Sequence, residues 1–149
     1  MASVAVHPAP RDLVETAARY LGALSIVLVG VVHAQQYYGA YFSVVPTIGP
    51  LFLLSFIGAG IVGAILIAPV QRLGGRLGSA LLVLAALGGI GIAVGTFAAL
   101  LISEYTPLFG FMESGYRLAV WLTLLFDVLT TVFLAVFVVA TAPRLRAHA

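Results

Sequence analysis

An all-α bundle of four transmembrane helices is the fold this sequence predicts, and three observations predict it. Of its 149 residues, 62% are hydrophobic and only 8% are charged, with a mean hydropathy of +1.18, so the bilayer and not water is the solvent. Four stretches, at about 20–41, 49–69, 79–102 and 116–140, each supply the run of about 20 mostly apolar residues that a helix needs to cross the hydrocarbon core. The segments between them are too short to fold a separate catalytic domain. This leaves one membrane domain over about 11–142, between an N-terminal tail (1–10) and a basic C-terminal tail (143–149).

The first span should begin as a helix near Arg11. Asp12 and Glu15 sit where acidic side chains favour a helix N-terminus, and Leu13, Ala17, Tyr20 and Leu21 share one face. The preceding residues, rich in Pro and Ala, are expected to be disordered. A cleaved signal peptide is not expected, because the apolar run starts only after His7, Pro8, Pro10, Arg11, Asp12, Glu15 and Arg19 and is too long for a signal core. At the second span, Pro46 and Pro50 bracket the start and predict an ordered cap over 44–49.

Spans two and three carry small residues at helical spacing: Ser55, Ala59 and Gly63; Gly60, Ala64 and Ala68; Ala85, Gly89 and Ala93; Gly91 and Gly95. Lipid supplies no hydrophobic push between helices, so such ridges, by letting backbones approach, predict a tight hairpin of these two spans. Gly58, Gly60 and Gly63 also form a Gly-x-Gly-x-x-Gly string. Inside an apolar span, with no strand before it, that string serves packing and not phosphate binding. The two halves share span length but no pattern, so an inverted-repeat transporter has no support.

Six of the seven Arg (Arg11, Arg19, Arg72, Arg76, Arg144, Arg146) fall on one side of this arrangement. The positive-inside rule assigns that side, with both termini, to the cytoplasm, making the chain a multi-pass protein of the cell membrane. The opposite side carries Glu104, Glu113 and Arg117. It also carries Tyr37, Tyr38, Tyr41, Tyr105 and Tyr116, one half of an interfacial aromatic belt to which Trp121 can belong.

Cysteine is absent, which excludes disulfides, thiolate chemistry and iron–sulfur ligation by this chain. Seven Arg with no Lys read as GC-rich codon usage. Arg residues confined to helix ends form no basic stripe with interleaved aromatics, so nucleic acid is not an expected partner. No nucleophile elbow, phosphate loop or His-Glu-x-x-His spacing occurs, and one intramembrane His cannot supply both axial ligands of a b-type haem. Neither an enzyme nor a resident cofactor or metal is expected.

Polar groups inside the spans are where function is sought, because an intramembrane carboxylate is costly unless protonated, solvated or paired. Asp127, deep in span four, is the foremost candidate. His33, Gln36 and Tyr37 share a face near the outer end of span one. At about 1.5 Å of rise per residue, His33 lies ~6 Å and Asp127 ~16 Å from the outer tyrosines, too far apart to bond directly. The predicted site is a polar seam with His33, Gln36, Tyr37 and Ser55 above, and Asp127, Thr123, Thr130 and Ser25 below. His33 can equally be a neutral hydrogen-bonded group that helps helices pack, and Asp127 can be protonated on a neighbouring hydroxyl or carbonyl. Glu113 and Arg117, at i,i+4, are expected as an exposed ion pair at the start of span four, and Glu104 as a solvated loop charge.

Pro46, Ile48, Gly49, Leu51, Phe52 and Leu53, following His33, form a Pro-x-Ile-Gly-x-Leu-Phe-Leu string, and Phe109, Gly110, Phe111, Glu113 and Gly115 form a second outer segment before Asp127. In these features the chain resembles small four-span integral membrane proteins of high-GC Gram-positive bacteria to which no activity is assigned. Ala34, Gln35 and Gln36 depart from the more apolar residues expected after that His. The resemblance covers the two outer loops with their flanking helices and implies a bacterial inner-membrane setting.

Three functions remain open on the sequence. The first is a non-enzymatic helix-packing or accessory component, docked to another membrane protein or to a second copy. The second is a small proton-coupled transporter using Asp127, and the third a membrane anchor subunit of a respiratory or quinone-linked complex.

Overall fold

The computed structural model describes residues 10–73, 75–113, 115 and 117–147, and it is a helical bundle, as the sequence predicts. Its helices are α1 (Pro10–Gly39), α2 (Ile48–Ile67), α3 (Gly75–Tyr105) and α4 (Leu118–Ala147). Each contains a segment long and apolar enough to cross a membrane, which points to an integral membrane protein. Their outward faces carry Leu54, Ile57 and Ile61 of α2, Leu84, Leu87 and Val94 of α3, and Val128, Val132 and Val139 of α4. That is the apolar sheath a lipid solvent requires.

α1 packs lengthwise along α2 and α4, and α3 closes the ring against α4 and α2, so α1 and α3 lie diagonally opposed. The start of α1 meets the end of α4 where Arg11 and Val14 stand beside Val136, Val139 and Ala140, which puts both ends of the described chain at one end of the bundle. That is the terminal end of the bundle, and the opposite one is the distal end. The core is small and aliphatic: Ala23, Ile26, Val29, Ala59, Leu66, Ala86 and Leu134 are fully enclosed, with Phe137 at 1% exposure.

α1 begins at Pro10, where a missing N–H costs nothing, close to the predicted start. α3 starts before its predicted span. α4 continues through Pro143 to Ala147, where the sequence reading has a tail. The disorder expected for 1–9 and the belt position of Tyr116 lie outside the described residues.

The small-residue ridges do not chiefly join α2 to α3. A Cβ on Gly63 would lie 2.5 Å from Val27 of α1, and one on Gly30 of α1 would lie 3.0 Å from Ala59. Gly89 of α3 approaches Leu134 of α4 as well as Val62 of α2. α1 is the helix that the small residues admit, while Gly60, Gly91 and Gly95 look outward with nothing near them. Spacing predicts that small residues form ridges, but the helix rotation that chooses the neighbour comes from the whole bundle.

At the terminal end, Arg19 is buried and crosses from α1 to α2. Its Nε donates to the Leu66 carbonyl at 2.5 Å and its Nη2 to the Ala68 carbonyl at 2.7 Å. Sequence reasoning counts Arg19 only as a charge at the membrane face. In the fold it satisfies backbone carbonyls at the end of α2.

The α1–α2 connection is ordered, as the two prolines predict. It contains a 3-10 turn (Phe42–Val44), followed by a tight turn at Thr47 in which the Ile48 N–H donates to the Pro46 carbonyl at 2.7 Å. Thr47 takes φ +66°, ψ −50°, the rare positive-φ form of a γ-turn. The α3–α4 connection folds back at Leu108 and Phe111, which exchange two backbone hydrogen bonds around Phe109 (φ +51°) and Gly110 (φ +80°). Two central residues at positive φ are what a two-residue I′ turn demands.

A candidate ligand chamber in the distal half

A cavity of about 110 Å³ lies in the distal half, walled by all four helices. α1 contributes Val32, His33 and Gln36, α2 Ile48, Leu51, Phe52 and Ser55, α3 Thr96, Ala99, Leu100 and Ser103, and α4 Ala119, Val120 and Thr123. Since about 10–15 Å³ of such space admits one water, there is room for several waters or one small organic molecule.

The α3–α4 connection roofs it with Leu108, Phe111, Glu113 and Arg117, and the α1–α2 connection packs behind that roof. Phe42, only 7% exposed, packs on Phe52 at 5.0 Å and on Phe111 at 5.3 Å between ring centres. Beside them Arg117 Nη2 donates to both carboxylate oxygens of Glu113, at 2.8 and 2.9 Å, and its guanidinium stands 5.9 Å from the Phe42 ring. The i,i+4 pair that the spacing suggests is formed, with Arg117 exposed and Glu113 turned inward. The Glu113 side chain is 8% exposed against 47% for Arg117, because the Glu113 backbone N–H donates to the Ser103 carbonyl at 3.0 Å and draws the segment over the chamber. Both residues precede α4 instead of forming its first turn.

Of the predicted seam, His33, Gln36 and Ser55 line the chamber. His33 is 5% exposed, its Nδ1 lies 2.9 Å from the Val29 carbonyl, and its ring meets Phe52 edge-on at 5.3 Å. The Gln36 amide donates to the Gln35 side-chain oxygen. Tyr37 takes no part. It sets its ring edge against Tyr38 at 4.8 Å, away from the cavity lining.

Asp127 lies beneath, 1% exposed, and does not itself line the chamber. Its link to the cavity is Thr96, whose Oγ1 lies 2.9 Å from Asp127 Oδ2, 2.9 Å from the Ile92 carbonyl and 3.1 Å from the Ala93 carbonyl. A hydroxyl has one proton to give, so these contacts cannot all be donated at once. If Thr96 donates to Asp127, the Ile92 carbonyl loses that bond. If Thr96 donates to Ile92, the carboxyl must carry a proton and donate to Thr96. The floor of the chamber thus has two hydrogen-bond arrangements, of which the second requires a proton on Asp127.

Thr130, fully enclosed, and Asp127 Oδ1 have no hydrogen-bond partner among the described residues. Ser25 donates to its own Leu21 carbonyl at 2.8 Å, and Thr123 to that of Ala119 at 2.9 Å. Glu104 is not a solvated loop charge. α3 runs to Tyr105, which places Glu104 on the helix, half-buried, with Oε1 enclosed and unbonded among the described residues.

Thr96 is the site residue that sequence reasoning misses, although a signal for it exists. It stands nine residues before the end of α3 at Tyr105, and Asp127 stands nine after the start of α4 at Leu118. In an antiparallel pair, equal distances from the connection mean equal depth.

No protein family, curated protein or solved structure matches this chain.

Proposed function

We propose that this chain is a non-catalytic, multi-pass protein of the cell membrane that holds a small, largely apolar molecule in the distal chamber, with both termini cytoplasmic and the chamber roof facing outward. The observation that carries this reading is the chamber itself. A recess of this size reaching between all four helices leaves its lining side chains short of packing partners from the chain itself, and a bound guest would supply those dispersion contacts. Apolar walls with a few convergent polar groups are the usual make-up of a small-molecule site. Filling it tests the reading. Ala99→Phe should abolish small-molecule adducts in native mass spectra of protein taken from membranes in mild detergent, while the bundle stays folded. Wild-type protein without adducts, or adducts that survive Ala99→Phe, would refute it.

A second reading, a proton-coupled carrier, is favoured by the Thr96–Asp127 contact at the chamber floor. Asp127→Asn keeps the shape and a hydrogen-bonding group but cannot take up or release a proton. It should leave folding intact and remove the difference in ligand retention between pH 5 and pH 8. Identical pH profiles for the variant and the wild type would exclude the coupling. The accessory role, in which small residues dock a partner membrane protein or a second copy, is left with Gly60, Gly91 and Gly95, which face outward, since Gly30, Ala59, Gly63 and Gly89 are spent on contacts within the bundle.

A further inference from the structure

The hydrogen-bonding inventory of the chamber narrows what it can hold. Val29 offers His33 a carbonyl oxygen, which only accepts, so the hydrogen of the ring sits on Nδ1. The ring is enclosed, and no other polar group among the described residues bonds to it. Glu113 and Arg117, the charged groups that share the chamber, are bonded to each other. An imidazolium without a counter-charge in such a place is costly, so the ring is neutral. Its Nε2 is then a bare lone pair turned away from the backbone of α1, an acceptor in want of a donor.

Ser55 has the complementary vacancy. Thr96, Ser103 and Thr123 each have a carbonyl of their own helix as acceptor, whereas Ser55 has no hydrogen bond among the described residues. It stands one helical turn beyond Phe52, the ring on which His33 packs. Beside the Gln36 amide, which gives one N–H to Gln35, the chamber therefore presents the bare His33 Nε2 and the free Ser55 hydroxyl in the same neighbourhood, within walls of Val32, Leu51, Leu100 and Val120.

We infer that the ligand is a neutral alcohol or phenol with an apolar body about the size of one ring, whose O–H donates to His33 Nε2 and whose oxygen accepts from Ser55. A hydroxyl suits both vacancies at a single atom. A carboxylate lacks the donor, and an ammonium lacks the acceptor and has no free counter-charge.

This rests on the chamber being a ligand site, and the test separates the two claims. Protein labelled with 15N-histidine is placed in lipid nanodiscs and titrated with phenol, cyclohexanol and anisole, which is phenol with its O–H methylated. Phenol, cyclohexanol or both should shift the His33 Nε2 resonance and raise the melting temperature, the choice between them telling aromatic from aliphatic alcohols. Anisole should leave Nε2 unmoved and bind about tenfold or more weakly. Ser55→Ala should weaken binding of the active alcohol by about three- to tenfold, the worth of one hydrogen bond. The His33 signal is assigned by its loss in His33→Phe. If that variant does not fold, His7→Gln with His148→Gln leaves His33 as the only histidine. Equal stabilisation by anisole and the alcohols with Nε2 unmoved would overturn the ligand class and leave the chamber reading standing. No binding of any of the three would overturn both.

Discussion

Arg19→Met lowers the stability of the bundle by about 2–3 kcal/mol, the scale of hydrogen bonds made by a charged donor whose loss leaves acceptors unsatisfied. Methionine matches much of the aliphatic stem but offers nothing to the carbonyls of Leu66 and Ala68, which receive the guanidinium at 2.5 and 2.7 Å. The last carbonyls of a helix have no partner within it, and Leu66 is fully enclosed. Within the bundle no water reaches the Leu66 carbonyl to replace the lost bond. The effect should therefore be local before it is global. Unfolding in a mixed-detergent titration should come earlier, and hydrogen exchange should quicken first around Ala68 to Arg72. Arg19→Lys should recover only part of the loss, since a single ammonium on a flexible stem does not span two carbonyls as a planar fork does. Unaltered unfolding and exchange in Arg19→Met would show that the terminal end of α2 holds without this clamp.

Gly49→Ala is expected to cost a similar amount, about 2–3 kcal/mol, and to act on the chamber as well as on stability. A Cβ at this position would lie 2.5 Å from the Phe42 carbonyl oxygen and 3.2 Å from that of Ser43. Both are backbone atoms of the 3-10 turn, so no side-chain rotation can relieve the clash. The turn must move, and Phe42 moves with it. Because Phe42 packs on Phe52 and Phe111, which line the chamber, ligand retention should fall in parallel with stability. Gly60→Ala is the matched control. It lies in the same helix with nothing within 4 Å, and should be neutral or stabilising by roughly 0.5–1 kcal/mol from helix propensity alone. Equal effects of the two substitutions, measured by thermal unfolding and native mass spectrometry, would refute the steric account of Gly49.

The candidate site was partly legible for a reason that particular residues make plain. His33, Gln36, Ser55 and Asp127 stand out because a polar side chain in an apolar span is costly enough to be noticed one residue at a time. Thr96 does not stand out, since threonine in a membrane helix can satisfy itself on a carbonyl of its own helix and so carries no such warning. Its importance is relational and comes from facing Asp127. Tyr37 shows the converse. Its i+4 spacing from His33 is right, yet a face about 100° wide can point partly into a cavity and partly out of it.

What the sequence by itself determined is the number of helices, their apolar character, the ordered cap before α2 and the presence of polar groups at membrane depth. Each follows from local composition and from the need to bury backbone hydrogen bonds in lipid. Only the tertiary structure decided that the small residues draw α1 against its neighbours, that Arg19 closes the end of α2, that Glu113 is drawn over the chamber, and that Thr96 joins the chamber to Asp127. These depend on the rotation and register of each helix about its own axis. A nearly uniform apolar span says little about either, because lipid solvates every face alike and the choice falls to close packing among all four helices at once.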